Sequence, residues 1–301
     1  MDENQKSELV KLLKESVIFD ASMSSYSTFR AGGKAEALCF VSDLPTLMQL
    51  ICFLESEAIA RITVGKGSNL LVTDKGIKGA VIILKGKMAE VNEESTNEVT
   101  VGGGLSVVRL LKYCVQHELA GMEFMSGIPG TLGGAVVMNA GAYGEEIGDR
   151  LLRLGVVTFD GKTEEIDRSR ISFEYRKTSI PERSIVYSVT LGLKRGERES
   201  IRERIESNLK KRKESQPLDM PSCGSVFKNP PGNFAGRLIE ESGLKGKRIG
   251  GAMISPKHAN FIVNADNAKA SDIIELIDYT RQKVREYSGI DLETEIRVVG
   301  Q

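Results

Sequence analysis

A glycine-rich stretch without charge constrains this chain more than any other segment. Residues 126–144 read SGIPGTLGGAVVMNAGAYG, with six glycines among small and apolar residues. Because glycine has no Cβ, such a segment tolerates positive φ angles and lets backbone N–H groups approach a ligand closely. A bound diphosphate is the first hypothesis, and a tightly packed turn with a buried strand is the alternative.

The composition narrows the class of protein. Lys plus Arg and Asp plus Glu number 41 each, so the chain has no overall charge for nucleic acid or an anionic membrane. The four cysteines lack CxxC spacing and, with only two histidines, predict no metal site. No apolar run reaches the length of a membrane span, and the first residues lack the apolar core of a signal peptide. We therefore expect a cytoplasmic protein with reduced thiols, and nothing in the sequence implies an obligatory protein partner.

Local patterns predict a small α/β region followed by a largely β region. After an amphipathic opening helix, residues 34–41 read as a strand, and Asp43 is a plausible N-cap for the helix that follows. Residues 62–84 alternate short β-rich runs with glycine turns, which is typical of a β-hairpin. A densely charged segment over 196–217 predicts a solvated helix that links domains. The predicted domains are 1–85, 86–200 and 201–301, with a C-terminal strand near 292–300 that returns to the first.

The two commonest nucleotide-binding signatures are absent. Residues 102–104 lie between a predicted strand and a predicted helix, but GGGLSV lacks the third glycine of a dinucleotide fingerprint, so a tight turn is favoured. No GxxxxGK[ST] occurs, which excludes a Walker A loop. The segment GKGSNLL, residues 65–71, also combines glycines with small polar groups. Two such loops would be able to hold one diphosphate between two subdomains.

Three downstream residues are candidates for chemistry. Ser225, in CGSVFKNP, follows a glycine, but the segment is not GxSxG and the chain has only two histidines, so a Ser-His-acid hydrolase is disfavoured. A serine of this kind suits proton donation to a strongly basic carbanion or enolate, and a plain turn residue is the alternative. Arg176 in EYRKTS is either a carboxylate clamp or a solvated cation, and Glu295 in TEIRVVG lies on an ordinary half-exposed strand.

Taken together, five ordered motifs resemble one family. GKGSNLL, SGIPGTLGGAVVMNAGAYG, EYRKT, GSVFKNP and LETEIRVVG are similar to those of the UDP-N-acetylenolpyruvoylglucosamine reductases (MurB) of peptidoglycan synthesis, over roughly residues 25–300. By length the chain resembles the shorter (type II) subclass, which lacks an inserted loop with a substrate-capping tyrosine. The resemblance implies an α+β fold: a two-subdomain FAD-binding fold of the vanillyl-alcohol-oxidase/PCMH type plus a C-terminal α+β substrate domain.

The resemblance also assigns the first two motifs to non-covalent FAD binding. No histidine or cysteine in them matches a covalent flavin attachment site. The implied FAD-binding residues are Gly65, Lys66, Gly67, Ser68, Asn69, Leu70, Gly127, Ile128, Pro129, Gly130, Gly133, Gly134, Ala135, Asn139, Gly141 and Ala142.

The implied reaction has two stages. NADPH reduces the flavin, and a hydride then passes to the methylene carbon of the enolpyruvyl ether of UDP-N-acetylglucosamine enolpyruvate, giving UDP-N-acetylmuramate. Ser225 becomes the proton donor to the resulting carbanion. Arg176 and Glu295 bracket the substrate carboxylate and stabilise developing charge, and Glu295 assists by hydrogen bond only while it carries a proton.

Four further residues are expected to contact this UDP-sugar. They are Lys228, Asn229, Arg212 and His258, the last with an alternative role as a helix-end or core histidine. Two other classes stay open at this point: an FAD-dependent oxidase or dehydrogenase of the same fold acting on an alcohol or hydroxy acid, and a nucleotide-binding module without enzymatic activity. The first predicts no special role for GSVFKNP, and the second predicts a colourless protein.

Overall fold

A computed structural model of the chain describes residues 1–95 and 97–300. Residues 96 and 301, which fall within the predicted domains, lie outside the described residues. The helices are α1 (Glu3–Leu13), α2 (Leu44–Ser56), α3 (Val107–Gln116), α4 (Leu132–Val137), α5 (Arg198–Ser215), α6 (Ala235–Glu241) and α7 (Ala270–Ser288). None of the helices in this part of the chain is long and apolar enough to cross a membrane.

The strands are mostly short and are distributed over the whole chain. They are β1 (Val17–Ser22), β2 (Lys34–Val41), β3 (Arg61–Thr63), β4 (Leu70–Val72), β5 (Ile77–Leu84), β6 (Val91–Glu94), β7 (Glu98–Gly102), β8 (Leu119–Ala120), β9 (Gly141–Ala142), β10 (Glu145–Glu146), β11 (Leu151–Val157), β12 (Thr163–Asp167), β13 (Phe173–Glu174), β14 (Lys177–Thr178), β15 (Ile185–Gly192), β16 (Lys194–Arg195), β17 (Arg248–Ile249), β18 (Ala252–Ile254), β19 (Ile262–Asn264) and β20 (Arg297–Val299).

The chain forms two compact units. The first comprises Met1–Phe19, Ala37–Gly65 and Gly79–Lys210, and the second comprises Asp20–Glu36, Lys66–Lys78 and Lys211–Gln301. The domain boundaries predicted from the sequence at 85/86 and 200/201 stay a prediction.

An antiparallel sheet with the strand order β12-β11-β15-β7-β6 lies at the centre of the first unit. Its apolar side chains pack with those of α3 and α4 into one core that includes Val101, Leu110, Leu132 and Val189. A second core joins α1 and α2 to β2 and β5, with Leu9, Leu50 and Ile82 fully buried. The helices pack on these sheets because their apolar residues recur at helical spacing and so lie on one face.

The second unit has its own core. The antiparallel sheet β17-β18-β19 packs with α6 and α7, and β20 pairs in parallel with β4. Phe29 and Leu71, from early in the chain, are buried in the same core as Ile273 and Ile296. Early segments of the chain therefore fold together with its C-terminal third.

Several local predictions are confirmed. The strand over residues 34–41 is β2, and Asp43 caps α2 by accepting a hydrogen bond from the Thr46 N–H across 2.9 Å. The charged helix is α5, whose residues are mostly exposed apart from the buried Ile201. In both cases the signal was local, a cap residue or a charge pattern, and it needed no knowledge of distant partners.

The predicted β-hairpin over residues 62–84 is wrong. β3 pairs with β5 in parallel, with Arg61 opposite Ala80, while the intervening β4 pairs in parallel with β20 near the C-terminus. Parallel neighbours need a crossover connection, which a tight glycine turn does not provide. Leu70, Leu71 and Val72 are all buried, so long-range burial determines the partner of β4 and the local turn signal does not.

Candidate active site

The two glycine-rich motifs meet within the first unit at Gly65 and Thr131. A Cβ placed on Gly65 would collide with Thr131 Oγ1, so only glycine allows this approach. Thr131 is 8% exposed, and its side chain caps α4 by accepting from the Gly134 N–H across 3.4 Å. The contact joins the first residue of GKGSNLL to the centre of the glycine-rich stretch.

The glycine triplet at residues 102–104 is hydrogen-bonded to the glycine-rich stretch. The Gly133 N–H donates to the Gly103 carbonyl across 2.8 Å, and a Cβ on Gly133 would lie 3.1 Å from that oxygen. Residues 102–104 connect β7 to α3, as the tight-turn interpretation predicted. A Cβ on Gly102, Gly103 or Gly104 would collide with the backbone carbonyl of Met88, Val186 or Leu84 respectively, which explains the three glycines without a dinucleotide.

Three amide donors of the stretch are available to an anion. Within residues 1–95 and 97–300, the backbone N–H groups of Gly127, Gly130 and Thr131 donate to no other group of the chain. Gly127 has a φ of 74°, a conformation that favours glycine. Unused N–H groups clustered in a glycine-rich turn are the donor set that phosphate oxygens accept from.

A two-residue hairpin brings Arg176 to the glycine-rich stretch. Strands β13 and β14 pair Glu174 with Lys177, which leaves Tyr175 and Arg176 as the turn. Arg176 Nη2 lies 3.5 Å from the Gly141 carbonyl oxygen, and Thr178 Oγ1 donates to the Val136 carbonyl across 2.5 Å. Arg176 has a φ of 60°, which is uncommon for a residue with a Cβ and is associated with functional positions.

Asn139 is a buried brace between this hairpin and the stretch. Its Nδ2 donates to Glu174 O at 3.1 Å and Glu146 Oε2 at 2.5 Å, and its Oδ1 accepts from the Gly148 N–H at 3.3 Å. Asn139 has no exposed surface, and its amide bonds two backbone groups and the Glu146 carboxylate of the chain itself. The assignment of Asn139 to FAD stays a prediction, and in the structure its amide holds the Glu174 carbonyl beside the turn at Arg176.

In the second unit, the loop from Lys66 to Leu70 turns its carbonyl groups toward the protein. The Thr28 N–H donates to the Gly67 carbonyl across 3.2 Å, and Ser27 Oγ donates to the Leu70 carbonyl across 3.0 Å. Over the described ranges, the N–H groups of Lys66 and Gly67 donate to no group of the chain. This loop, like the glycine-rich stretch, thus presents backbone donors rather than acceptors.

Ser225 and Glu295 lie on neighbouring antiparallel segments of the second unit. The Glu295 N–H donates to the Val226 carbonyl across 2.7 Å, and the Lys228 N–H donates to the Glu293 carbonyl across 2.9 Å. Phe227 and Thr294 form the bridge between the two segments. The backbone therefore places Glu295 opposite the residue that follows Ser225.

Asn69 connects the first motif to the Glu295 segment. Asn69 Nδ2 donates to the Glu295 carbonyl across 3.1 Å, and the Arg297 N–H donates to the Asn69 carbonyl across 3.0 Å. These bonds flank Ile296 at the start of the β20–β4 pairing. Asn69 was predicted to hold FAD, and within this unit it holds the chain at Glu295.

Asn260 is a positioning residue that the sequence reasoning missed. Its Oδ1 accepts from the Phe227 N–H at 2.9 Å, its Nδ2 donates to the Phe227 carbonyl at 2.8 Å, and its own carbonyl accepts from the Val226 N–H at 2.8 Å. It is 4% exposed. An asparagine between apolar residues in HANFIV was the available signal, because a buried amide must find partners.

The predicted substrate residues Lys228 and Asn229 have partners of their own in this unit. Lys228 Nζ lies 2.6 Å from Glu293 Oε1, and Asn229 Oδ1 accepts from the Ala235 N–H at the start of α6 across 3.1 Å. Arg212 lies in the last turn of α5. A phosphate that bound Lys228 would replace Glu293 as its ionic partner. The Glu293 side chain is 72% exposed, and an exposed ion pair contributes little stability, so breaking it costs little.

His258 lies in a tight loop with its ring half-buried. Its Nδ1 accepts from the Asn260 N–H across 3.2 Å, and its ring makes an edge contact with Phe261 at 4.8 Å between centroids. Burial lowers the pKa of His258 below its ordinary value. The imidazole is therefore neutral at pH 7, and it offers a substrate only Nε2–H and no charge.

The donor set fits FAD. A diphosphate requires backbone or cationic donors, and among the described residues the glycine-rich stretch of the first unit supplies unused N–H groups at Gly127, Gly130 and Thr131. The second unit, taken by itself, supplies those of Lys66 and Gly67. Gly65 and Gly67 cannot carry a Cβ without collisions, against Thr131 and the Tyr26 carbonyl respectively, which keeps these backbones open to close approach.

Comparisons with known proteins agree with this chemistry. The FAD binding domain family model matches residues 35–167, and the model of the C-terminal domain of UDP-N-acetylenolpyruvoylglucosamine reductase matches residues 216–299. The reductase of that name from Caldanaerobacter subterraneus subsp. tengcongensis is 41% identical over 295 residues, with 97% of each chain covered. The one from Bacillus subtilis is 38% identical over 286 residues, with 94% of each covered.

A solved structure of the same kind of reductase has a similar fold. The crystal structure of UDP-N-acetylenolpyruvylglucosamine reductase (MurB) from Thermus caldophilus superposes with a TM-score of 0.81 at 37% identity, covering 94% of this chain and 98% of that one. The fold and the FAD-binding domain together define a flavin-dependent oxidoreductase of α+β architecture. With 41% identity to a curated relative over 97% of its length, the chain belongs to the UDP-N-acetylenolpyruvoylglucosamine reductase family. The resemblance drawn from the five motifs is thereby confirmed.

Proposed function

We propose that this chain uses NADPH and bound FAD to reduce UDP-N-acetylglucosamine enolpyruvate to UDP-N-acetylmuramate. The reaction would supply peptidoglycan precursor synthesis in the cytoplasm. The names of the relatives support the substrate class, and the FAD-binding domain supports the redox chemistry. The observation that carries the proposal is the pairing of the Ser225 segment with the Glu295 segment, because it joins two of the proposed catalytic residues through adjacent backbone.

FAD, when bound, supplies the redox chemistry by carrying a hydride from NADPH to the methylene carbon of the enolpyruvyl group. The amides of Gly127, Gly130 and Thr131 are proposed to bind its diphosphate. The assignment of the Lys66–Leu70 loop to FAD stays a proposal, supported by the N–H groups of Lys66 and Gly67. The remaining FAD assignments made from the sequence stay proposals, and Asn139 is proposed to act through the backbone that it braces.

Ser225 is proposed to deliver the proton that completes the reduction. Addition of a hydride to the methylene carbon turns it into a methyl group and pushes the π electrons onto the neighbouring carbon, next to the carboxylate. Ser225 Oγ–H protonates that carbon, and the alkoxide left on Ser225 regains a proton from solvent. A weakly acidic hydroxyl serves here because the acceptor is strongly basic.

Arg176 and Glu295 are proposed to stabilise the charge that develops during the transfer. The guanidinium of Arg176 pairs with the substrate carboxylate, where negative charge grows as the carbanion forms. A protonated Glu295 donates a hydrogen bond to the same group. Both roles are stronger in the transition state than in the ground state, which is the condition for accelerating the reaction.

Substrate binding is proposed for Lys228, Asn229, Arg212 and His258. Lys228 would bind a phosphate oxygen in place of the Glu293 carboxylate. Asn229 would donate from Nδ2 to the ligand, while its Oδ1 accepts from the Ala235 N–H at the start of α6. His258 would act as a neutral hydrogen-bond donor, since burial lowers its pKa.

Mass spectrometry of a turnover mixture tests the proposal. The purified protein, NADPH and the enolpyruvyl nucleotide should yield a nucleotide heavier by two hydrogen atoms, with one NADPH consumed per product. Consumption of oxygen and of an alcohol or hydroxy acid, with the enolpyruvyl nucleotide unchanged, would overturn the proposal in favour of an oxidase of the same fold.

A further inference from the structure

We propose that Ser27, Thr28 and Cys223 form a carbonyl clamp that orients the Lys66–Leu70 loop for FAD. These three side chains are positioning residues, because they touch the carbonyl side of the loop and act on the cofactor only through its backbone. The inference rests on the proposed flavin-binding function of this loop.

The clamp holds two carbonyl groups of the loop. The Gly67 carbonyl lies 3.4 Å from both Thr28 Oγ1 and Cys223 Sγ, in addition to its bond with the Thr28 N–H. The Leu70 carbonyl lies 3.0 Å from Ser27 Oγ and 3.3 Å from Cys223 Sγ. Cys223 Sγ also lies 3.3 Å from Thr28 Oγ1, so the three side chains form one network.

Because Ser27 and Cys223 are buried, the loss of one of their bonds is not compensated by water. Cys223 is 3% exposed and Ser27 is 6% exposed, so a carbonyl that lost its donor here would have little access to water. Burial also raises the pKa of the Cys223 thiol, which keeps the proton that it donates. The thiol is thus an inert hydrogen-bond donor, and its value lies in its position.

Fixing the carbonyls fixes the amides on the opposite side. A trans peptide points its C=O and the next N–H in opposite directions, so a Gly67 carbonyl turned into the clamp turns the Ser68 N–H away from it. Gly67 has a φ of 63°, and a Cβ there would collide with the Tyr26 carbonyl, so the loop can adopt this conformation only with glycine. Cys223 also lies two residues before Ser225, so the same network anchors the proposed proton donor.

The release of FAD from the holoenzyme tests the clamp. Release is followed by the rise in flavin fluorescence on dilution, which gives a dissociation constant without any turnover. Thr28→Val removes a hydroxyl at nearly constant volume, and Cys223→Ala removes the thiol. We expect each to weaken FAD binding about five- to tenfold, the effect of losing one hydrogen bond to the loop.

Two controls separate positioning from general destabilisation. Thr280→Val removes a buried hydroxyl that bonds the Leu276 carbonyl across 2.6 Å within α7, away from the loop in sequence. Cys39→Ala removes another fully buried thiol. Both should lower the melting temperature and leave the FAD dissociation constant within about twofold, and Cys223→Ser, which keeps a donor, should retain most of the affinity.

The outcomes distinguish this inference from the proposed function. If the wild-type protein holds FAD and turns over, but Thr28→Val and Cys223→Ala release FAD no faster than the two controls, the clamp is refuted and the function stands. If the wild-type protein holds no FAD, both fail together. Should Cys223→Ala not fold, the nearly isosteric Thr28→Val decides alone.

Discussion

The backbone N–H of Glu295 donates to the carbonyl oxygen of Val226 across 2.7 Å. This bond and the neighbouring bridge between Phe227 and Thr294 align two motifs that are separated by about seventy residues in the sequence. One backbone pairing therefore positions both Ser225, the proposed proton donor, and Glu295, the proposed charge stabiliser. Asn260 bonds the Phe227 N–H on one segment, and Asn69 bonds the Glu295 carbonyl on the other.

Ser225→Ala should block the second half of the reaction and leave the first half intact. Without the hydroxyl, the carbanion has no positioned proton donor, and we expect flavin reoxidation by the enolpyruvyl nucleotide to slow by about 10²–10⁴-fold. Flavin reduction by NADPH should keep its rate. Stopped-flow absorbance measures both steps, and Ser222→Ala, three residues upstream, is the matched control.

Arg176→Lys should lower the rate with substrate although it keeps the positive charge. A lysine loses the planar fork that pairs with a carboxylate, and we expect kcat/KM for the nucleotide to fall by about 10²-fold. Lys177→Ala in the same hairpin removes only a surface pair with Glu174 at 3.4 Å and should have no effect. Equal losses in the two variants would mean that the hairpin matters only for folding.

Gly65→Ala should disturb FAD binding through Thr131. The new Cβ would collide with Thr131 Oγ1, and such overpacking costs about 1–3 kcal/mol of stability. The double variant Gly65→Ala with Thr131→Ala removes the colliding atom and should recover part of the loss in both unfolding free energy and FAD affinity. Strictly additive effects of the two substitutions would show that the contact between the motifs does not carry the effect.

His258 should make stability fall on mild acidification. Burial lowers the pKa of His258 in the folded state, so below about pH 6.5 the unfolded chain binds a proton that the folded chain resists. The stabilisation is complete above that value and is lost as the pH falls through the folded pKa. Urea unfolding at pH 7.5 and 5.5 should show a larger loss for wild type than for His258→Asn, whose Oδ1 can still accept from the Asn260 N–H. Parallel losses would contradict the assignment.

Features with a local physical cause were predictable from the sequence. The β2 strand and the Asp43 cap of α2 follow from the side chains at those positions. The close backbone approach in the glycine-rich stretch follows from the missing Cβ atoms of its glycines. The motif resemblance added the family, because five ordered motifs agree by chance far less often than one.

Features that depend on distant partners were not predictable. Leu70–Val72 looks like half of a hairpin, yet it pairs with residues 297–299 because Leu71 is buried in the core of the second unit. The positive φ of Arg176 and the thiol bonds of Cys223 also depend on the surrounding fold. A short apolar run shows that a strand exists, but it does not show which strand it pairs with.

An anaerobic absorption spectrum of the purified wild-type protein tests the central claim most directly. We expect flavin bands as isolated, their bleaching by NADPH, and their full return on adding the enolpyruvyl nucleotide in the absence of oxygen. A protein without flavin bands, or one whose bleached flavin recovers with oxygen and never with the nucleotide, would contradict the account.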